Sequence, residues 1–132
     1  MIKKVGHIGI AVNNLEKAKK LWRDAFGLEV SETKTDDAQK VNNAWVTVGN
    51  ITIQLMETTD PEGPLGKFIQ RRGEGVHHLH LEVTDMEETF KTLNDNGVTL
   101  VDKKPVIEPS GRKHLILHPR GTSNVLIQLS DD

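Results

Sequence analysis

The sequence predicts an α+β fold made of two tandem βαβββ modules. The main observation is an internal repeat with a period of about 71 residues, in which His7-Ile-Gly-Ile-Ala-Val12 returns as His78-Leu-His-Leu-Glu-Val83. A second is the tripeptide that closes each copy, Ile53-Gln54-Leu55 and Ile127-Gln128-Leu129. A third is the period of the apolar residues, which alternates in both His-containing segments and then shifts to helical spacing. The chain of 132 residues holds one domain with a real core, so the repeat lies within a single fold. The domain is expected to span 1–132, with half-repeats at about 4–57 and 76–129 joined by a short helical connection.

Residues 4–12 alternate as a strand, with Ile8, Ile10 and Val12 on one face and His7, Gly9 and Ala11 on the other. The small residues Gly9 and Ala11 are expected to leave space beside His7 for a ligand. Asn14 can cap a helix through Leu15, Ala18, Leu21, Trp22, Ala25 and Phe26, which Gly27 stops. Strands are expected at 28–34, 41–48 and 51–57, with Gly49-Asn50 turning the last pair. Asp60-Pro-Glu-Gly-Pro64 breaks the pattern, and a short helix through Leu65, Phe68 and Ile69 runs to Gly73. The second half replays the plan. Thr84-Asp-Met-Glu87 reads as a capping box for a helix through Met86, Phe90 and Leu93, and Gly97 ends it. Strands are expected at 98–103, 113–118 and 124–129.

Alternation puts Leu79, Leu81 and Val83 against the helix and turns His78, His80 and Glu82 the other way. Gln54 and Gln128 oppose their apolar neighbours in the same manner. An approximate twofold relating the halves would therefore gather His7, Gln54, His78 and Gln128 round one point. Two imidazoles and two amide oxygens suit one divalent ion of borderline softness: cobalt, nickel, zinc or manganese. Two octahedral positions would stay open, and the ion would polarise a carbonyl or stabilise an enolate. Taken singly, each of the four residues reads as an ordinary strand histidine or glutamine; it is their matched placement that points to a metal.

Composition excludes several other functions. With 17 basic and 19 acidic residues and no basic stripe, nucleic acid is not an expected partner. The absence of cysteine removes disulfides, thiolate catalysis and sulfur-ligated zinc. No signal peptide or spanning segment is read, so membranes are not expected partners and the cytoplasm is the expected location.

The motifs His7-Ile-Gly-Ile-Ala-Val12, Val48-Gly49-Asn50, Lys67-Phe68-Ile69, Arg72-Gly-Glu-Gly-Val-His-His78, Leu117-His-Pro119 and Val125-Leu-Ile-Gln128 resemble the vicinal oxygen chelate superfamily of glyoxalases, bleomycin resistance proteins and dioxygenases. Within it they are most similar to methylmalonyl-CoA epimerases. The resemblance covers nearly the whole chain. It implies a cupped, barrel-like mixed sheet round a metal held by His7, Gln54, His78 and the residue at 128. It also implies a small-molecule carbonyl or acyl-CoA substrate, and the exposed sheet edges of the superfamily imply a homodimer.

Two departures bear on catalysis. The family has a glutamate, both ligand and base, where this chain has Gln128. Its second base is a glutamate in a Pro-Glu-Gln-Gly-Val-like segment, and matching Val41 to that valine puts Ala38 there, with Asp36 and Asp37 one or two residues away. His80 stands where the relatives have a small residue; it either moves a proton beside the metal or orients another ligand. Glu82 is the other candidate for proton transfer, though it occurs in the relatives and also reads as a hydrogen-bond acceptor. His77, His114 and His118 read as structural. Arg112, Lys113 and Arg120, with Lys103 and Lys104, either contact an anionic tail such as that of coenzyme A or form a solvated surface.

The expected function is thus a metal-dependent isomerase or epimerase that stabilises an enolate next to a carbonyl or thioester. A glyoxalase I-like lyase is the alternative within enzymes. A metal-free small-molecule-binding protein is the alternative outside them, although such proteins hold planar ligands against aromatics and Trp45 is the only strand aromatic here. An extradiol dioxygenase fits less well, since its iron site wants a carboxylate where Gln128 stands.

Overall fold

The computed structural model describes residues 1–131 and divides the chain into two compact units. The first unit is His7–His77. The second joins Met1–Gly6 to the residues from His78 onward.

The first unit contains the second half of strand β1 (Ile2–Ala11), helix α1 (Leu15–Lys20), strands β2 (Lys34–Asp36), β3 (Val41–Val48) and β4 (Ile51–Thr58), and helix α2 (Pro64–Arg72). Its strands lie in the order β2-β3-β4-β1, antiparallel except for the parallel pair β1 and β4. Helix α1 starts where expected: the Asn14 side chain accepts the Lys17 amide, and the Glu57 carboxylate accepts that of Leu15. It widens into a π turn over Leu21–Ala25. Beneath it lie Val12, Leu15, Ala44, Val46, Ile53 and Leu55, joined by Ile8 and Ile10 as alternation requires. The Val48↔Ile51 pair closes a hairpin over Gly49-Asn50, where Gly49 has φ +60°.

Helix α2 covers the other face of the same sheet, where Leu65 packs with Ala11, Val41 and Met56. This corrects the expectation that Ala11 leaves space for a ligand. Its side chain is fully buried in an apolar cluster because the connecting helix closes over that end of β1.

The second unit contains the first residues of β1, most of β5 (Gly75–Val83), helix α3 (Met86–Asp95), and strands β6 (Val106–Ile107), β7 (Lys113–Leu117) and β8 (Leu126–Ser130). The order is β1-β5-β8-β7-β6, with β5 and β8 parallel. Under α3 lie Val83, Met86, Leu115, Leu117 and Leu129, joined by Leu81, Phe90 and Ile127. Asp85, rather than Thr84, is the N-cap: its carboxylate accepts the Glu88 amide, while the Thr84 hydroxyl accepts from the Met1 ammonium.

The second strand of each module is shorter than its apolar pattern predicts. The expected strand at 28–34 is reduced to the bridge Val30↔Val46 before β2, and that at 98–103 to Leu100↔Leu117. Both stretches follow a helix stop at a positive-φ glycine, Gly27 or Gly97, and send apolar side chains into the helix layer. The duplication therefore extends to the irregular connections.

Candidate functional site

Each unit presents its repeated polar residues in the same register. In the first, Gly9 is the partner of Gln54 across the parallel pair, so His7 and Gln54 share a sheet face two residues out of step. In the second, His80 is the partner of Gln128, and His78 stands in the same relation to that glutamine. The polar set expected from the repeat is thus reproduced within each unit.

His7 and Trp45 make a T-shaped contact with ring centroids 5.4 Å apart. The Gln54 amide nitrogen donates to Asn43 Oδ1 at 3.1 Å, which leaves the amide oxygen as the group available to a ligand. His78 is 4% exposed and His80 5% exposed. Among the described residues no three His, Cys, Asp or Glu side chains gather as a metal-binding group.

The second unit holds a buried network that the pattern of strands did not reveal. Arg112 Nη2 donates to Ser130 Oγ at 2.6 Å and to His80 Nε2 at 3.1 Å, and His80 Nε2 lies 2.6 Å from Ser130 Oγ. A guanidinium has donors only, so in its contact with Arg112 the His80 Nε2 is the acceptor. The Nδ1 edge faces Gly6, where a β-carbon would stand 2.3 Å from Nδ1 and 2.9 Å from Cε1. Glu82, on the same face, reaches Lys4 at 3.3 Å.

This geometry predicts a coupled pair. Gly6→Ala should destabilise the protein by about 1–3 kcal/mol, because the ring is pinned at its far edge and cannot retreat. Adding His80→Ala should recover most of that loss, as read by urea unfolding of both single variants and the double. Simply additive losses would disprove the contact.

The remaining histidines make local contacts. The His77 ring packs edge-on against Phe68 at 4.7 Å, and burial holds its imidazole below the ordinary pKa. His114 Nδ1 lies 2.8 Å from Glu108, and His118 Nδ1 accepts the Arg120 amide at the 3-10 turn Pro119–Gly121. Near the Ala38 position, Asp36 accepts the Gln39 amide, and Asp37 and Ala38 are exposed.

Comparison with known proteins agrees with this architecture. The sequence profile of the Glyoxalase/Bleomycin resistance protein/Dioxygenase superfamily matches residues 6–115. The mitochondrial methylmalonyl-CoA epimerase of Dictyostelium discoideum is 31% identical over 131 residues, which is 98% of this chain and 79% of that protein. Among solved structures, a variant of the Streptomyces coelicolor methylmalonyl-CoA epimerase in complex with 2-nitronate-propionyl-CoA is 28% identical, with a TM-score of 0.84 over 100% of this chain and 99% of the other. The hypothetical protein BH1468 from Bacillus halodurans C-125 is 32% identical, with a TM-score of 0.87 over 98% of this chain and 94% of the other.

Proposed function

Because the chain belongs to the Glyoxalase/Bleomycin resistance protein/Dioxygenase superfamily, we propose that it is a metal-dependent epimerase or isomerase acting next to the carbonyl of an acyl-CoA thioester, in the manner of its methylmalonyl-CoA epimerase relatives. The observation that carries the proposal is the repeated His–Gln register, His7 with Gln54 and His78 with Gln128. The two pairs together give four neutral N and O donors, a set suited to cobalt, nickel, zinc or manganese rather than to a hard cation. When bound, such an ion supplies Lewis-acid stabilisation of the negative charge that develops beside a carbonyl. Four neutral ligands leave its double charge uncompensated, so the proposed site favours an anionic ligand.

The protein side chains determine how a proton could move. Gln128 can ligate through its oxygen and cannot accept a proton. His80 has one ring nitrogen engaged by Ser130 and Arg112 and the other edge against Gly6, which supports an orienting role for it over that of a base. Glu82 pairs with Lys4 and lies four residues along β5 from His78, roughly 13 Å at strand rise. Proton abstraction by these residues is therefore slow on this reading. A homodimer in the cytoplasm completes the proposal.

The test is direct. Purified protein should carry about one transition metal per chain, and with it should exchange the α-proton of methylmalonyl-CoA for deuterium slowly but measurably by NMR. Stripping the ion should end the exchange, and restoring it should bring the exchange back. Protein without stoichiometric metal, or exchange indifferent to the metal, would refute the proposal.

A further inference from the structure

We propose that Arg112 recognises a carboxylate on the acyl portion of the substrate, so that a thioester bearing a free carboxylate is bound in preference to the same thioester without one. The inference deepens the acyl-thioester reading above and rests on it. Arg112 is partly buried, and no Asp or Glu among the described residues lies within ion-pair distance of it. The nearby acids are engaged elsewhere: Glu82 with Lys4, Glu108 with His114, and Asp131 with the Lys113 amide.

Its Nη2 is occupied by His80 and Ser130, while its Nε is buried and has no hydrogen-bond partner. A partly buried guanidinium with no counter-charge is costly, and a carboxylate at its remaining donors supplies one. The contacts of Arg112 fall on the polar face of β5 and β8. His80, to which it donates, is the register partner of Gln128 and lies two residues from His78. This locates the charge beside the reacting end of a ligand rather than at the exposed Lys103, Lys104 and Arg120, where the phosphates of a coenzyme tail would be met. His80 and Ser130, both buried, hold the guanidinium in one orientation.

The experiment compares methylmalonyl-CoA with propionyl-CoA, which has the same tail and acyl skeleton but no carboxylate, by calorimetry on the metal-loaded protein. Wild type should bind methylmalonyl-CoA more tightly. Arg112→Leu should weaken methylmalonyl-CoA by about 10- to 100-fold and leave propionyl-CoA within about twofold. Arg112→Lys, which keeps the charge and loses the planar fork, should fall between, and it carries the test if the leucine variant does not fold. Equal loss for both thioesters, or loss for neither, overturns the assignment.

Should wild type bind neither thioester, the acyl-thioester reading fails by itself, and malonate then reports on Arg112 alone. Malonate affinity lowered in the Arg112 variants keeps the carboxylate site, and unchanged malonate affinity refutes it.

Discussion

Replacing His7 and His78 together by alanine is expected to leave a folded protein that no longer retains a divalent ion through gel filtration. The proposed centre takes two imidazoles and two amides, and the imidazoles are the stronger donors for borderline cations. Loss of a group that merely orients a ligand typically costs about 10- to 100-fold in metal affinity. Removing two ligands outright should exceed that for each, leaving two amides that cannot hold the ion. The fold should survive because both side chains lie on the polar faces of their sheets, away from the clusters under α1 and α3. Circular dichroism and urea unfolding provide that control. Full metal occupancy in the folded double variant would show that the ligands are other residues.

Gln128→Glu should produce the largest gain. The family resemblance puts a glutamate at this position, and a positioned general base contributes about 10²- to 10⁴-fold. The variant should therefore accelerate exchange of the methylmalonyl-CoA α-proton by up to that factor. It should also bind the metal more tightly, because one of four neutral donors becomes anionic. The second effect can be measured by calorimetry without any turnover. Faster exchange with tighter metal binding would support loss of an ancestral base in this chain. Fast exchange in wild type that the substitution does not change would instead implicate Asp36, Asp37 or Glu82.

The parts of the fold legible in the sequence are those governed by short-range periodicity. Alternation in β1 and β5 assigned Ile8, Ile10, Leu81 and Val83 to the helix side, where they pack. The register that puts Gln54 opposite Gly9 and Gln128 opposite His80 follows the same repeat. Two local readings fell short because neighbours compete. Thr84 has a capping side chain, but its hydroxyl accepts from the Met1 ammonium and Asp85 takes over. Ala11 is small enough for a pocket wall, but a helix more than fifty residues later in the chain covers it.

The Arg112 network was illegible for a different reason. Its hydrogen bonds join residues 32 and 50 positions apart in the chain, and neither Ser130 nor Gly6 belongs to a motif that a pattern would single out.

The membership of Met1–Gly6 has a consequence for biosynthesis. These residues are translated before His7–His77, yet they belong to the unit otherwise made of residues from His78 onward, where β1 lies beside β5. During translation His7–His77 can collapse first, since all of its partners are already present. The leading six residues must wait with their backbone groups unpaired until β5 has left the ribosome. A nascent chain stalled near residue 77 therefore presents an open strand edge, the feature through which chains pair with the wrong neighbour. The interval between synthesis of β1 and of β5 leaves that edge open to aggregation.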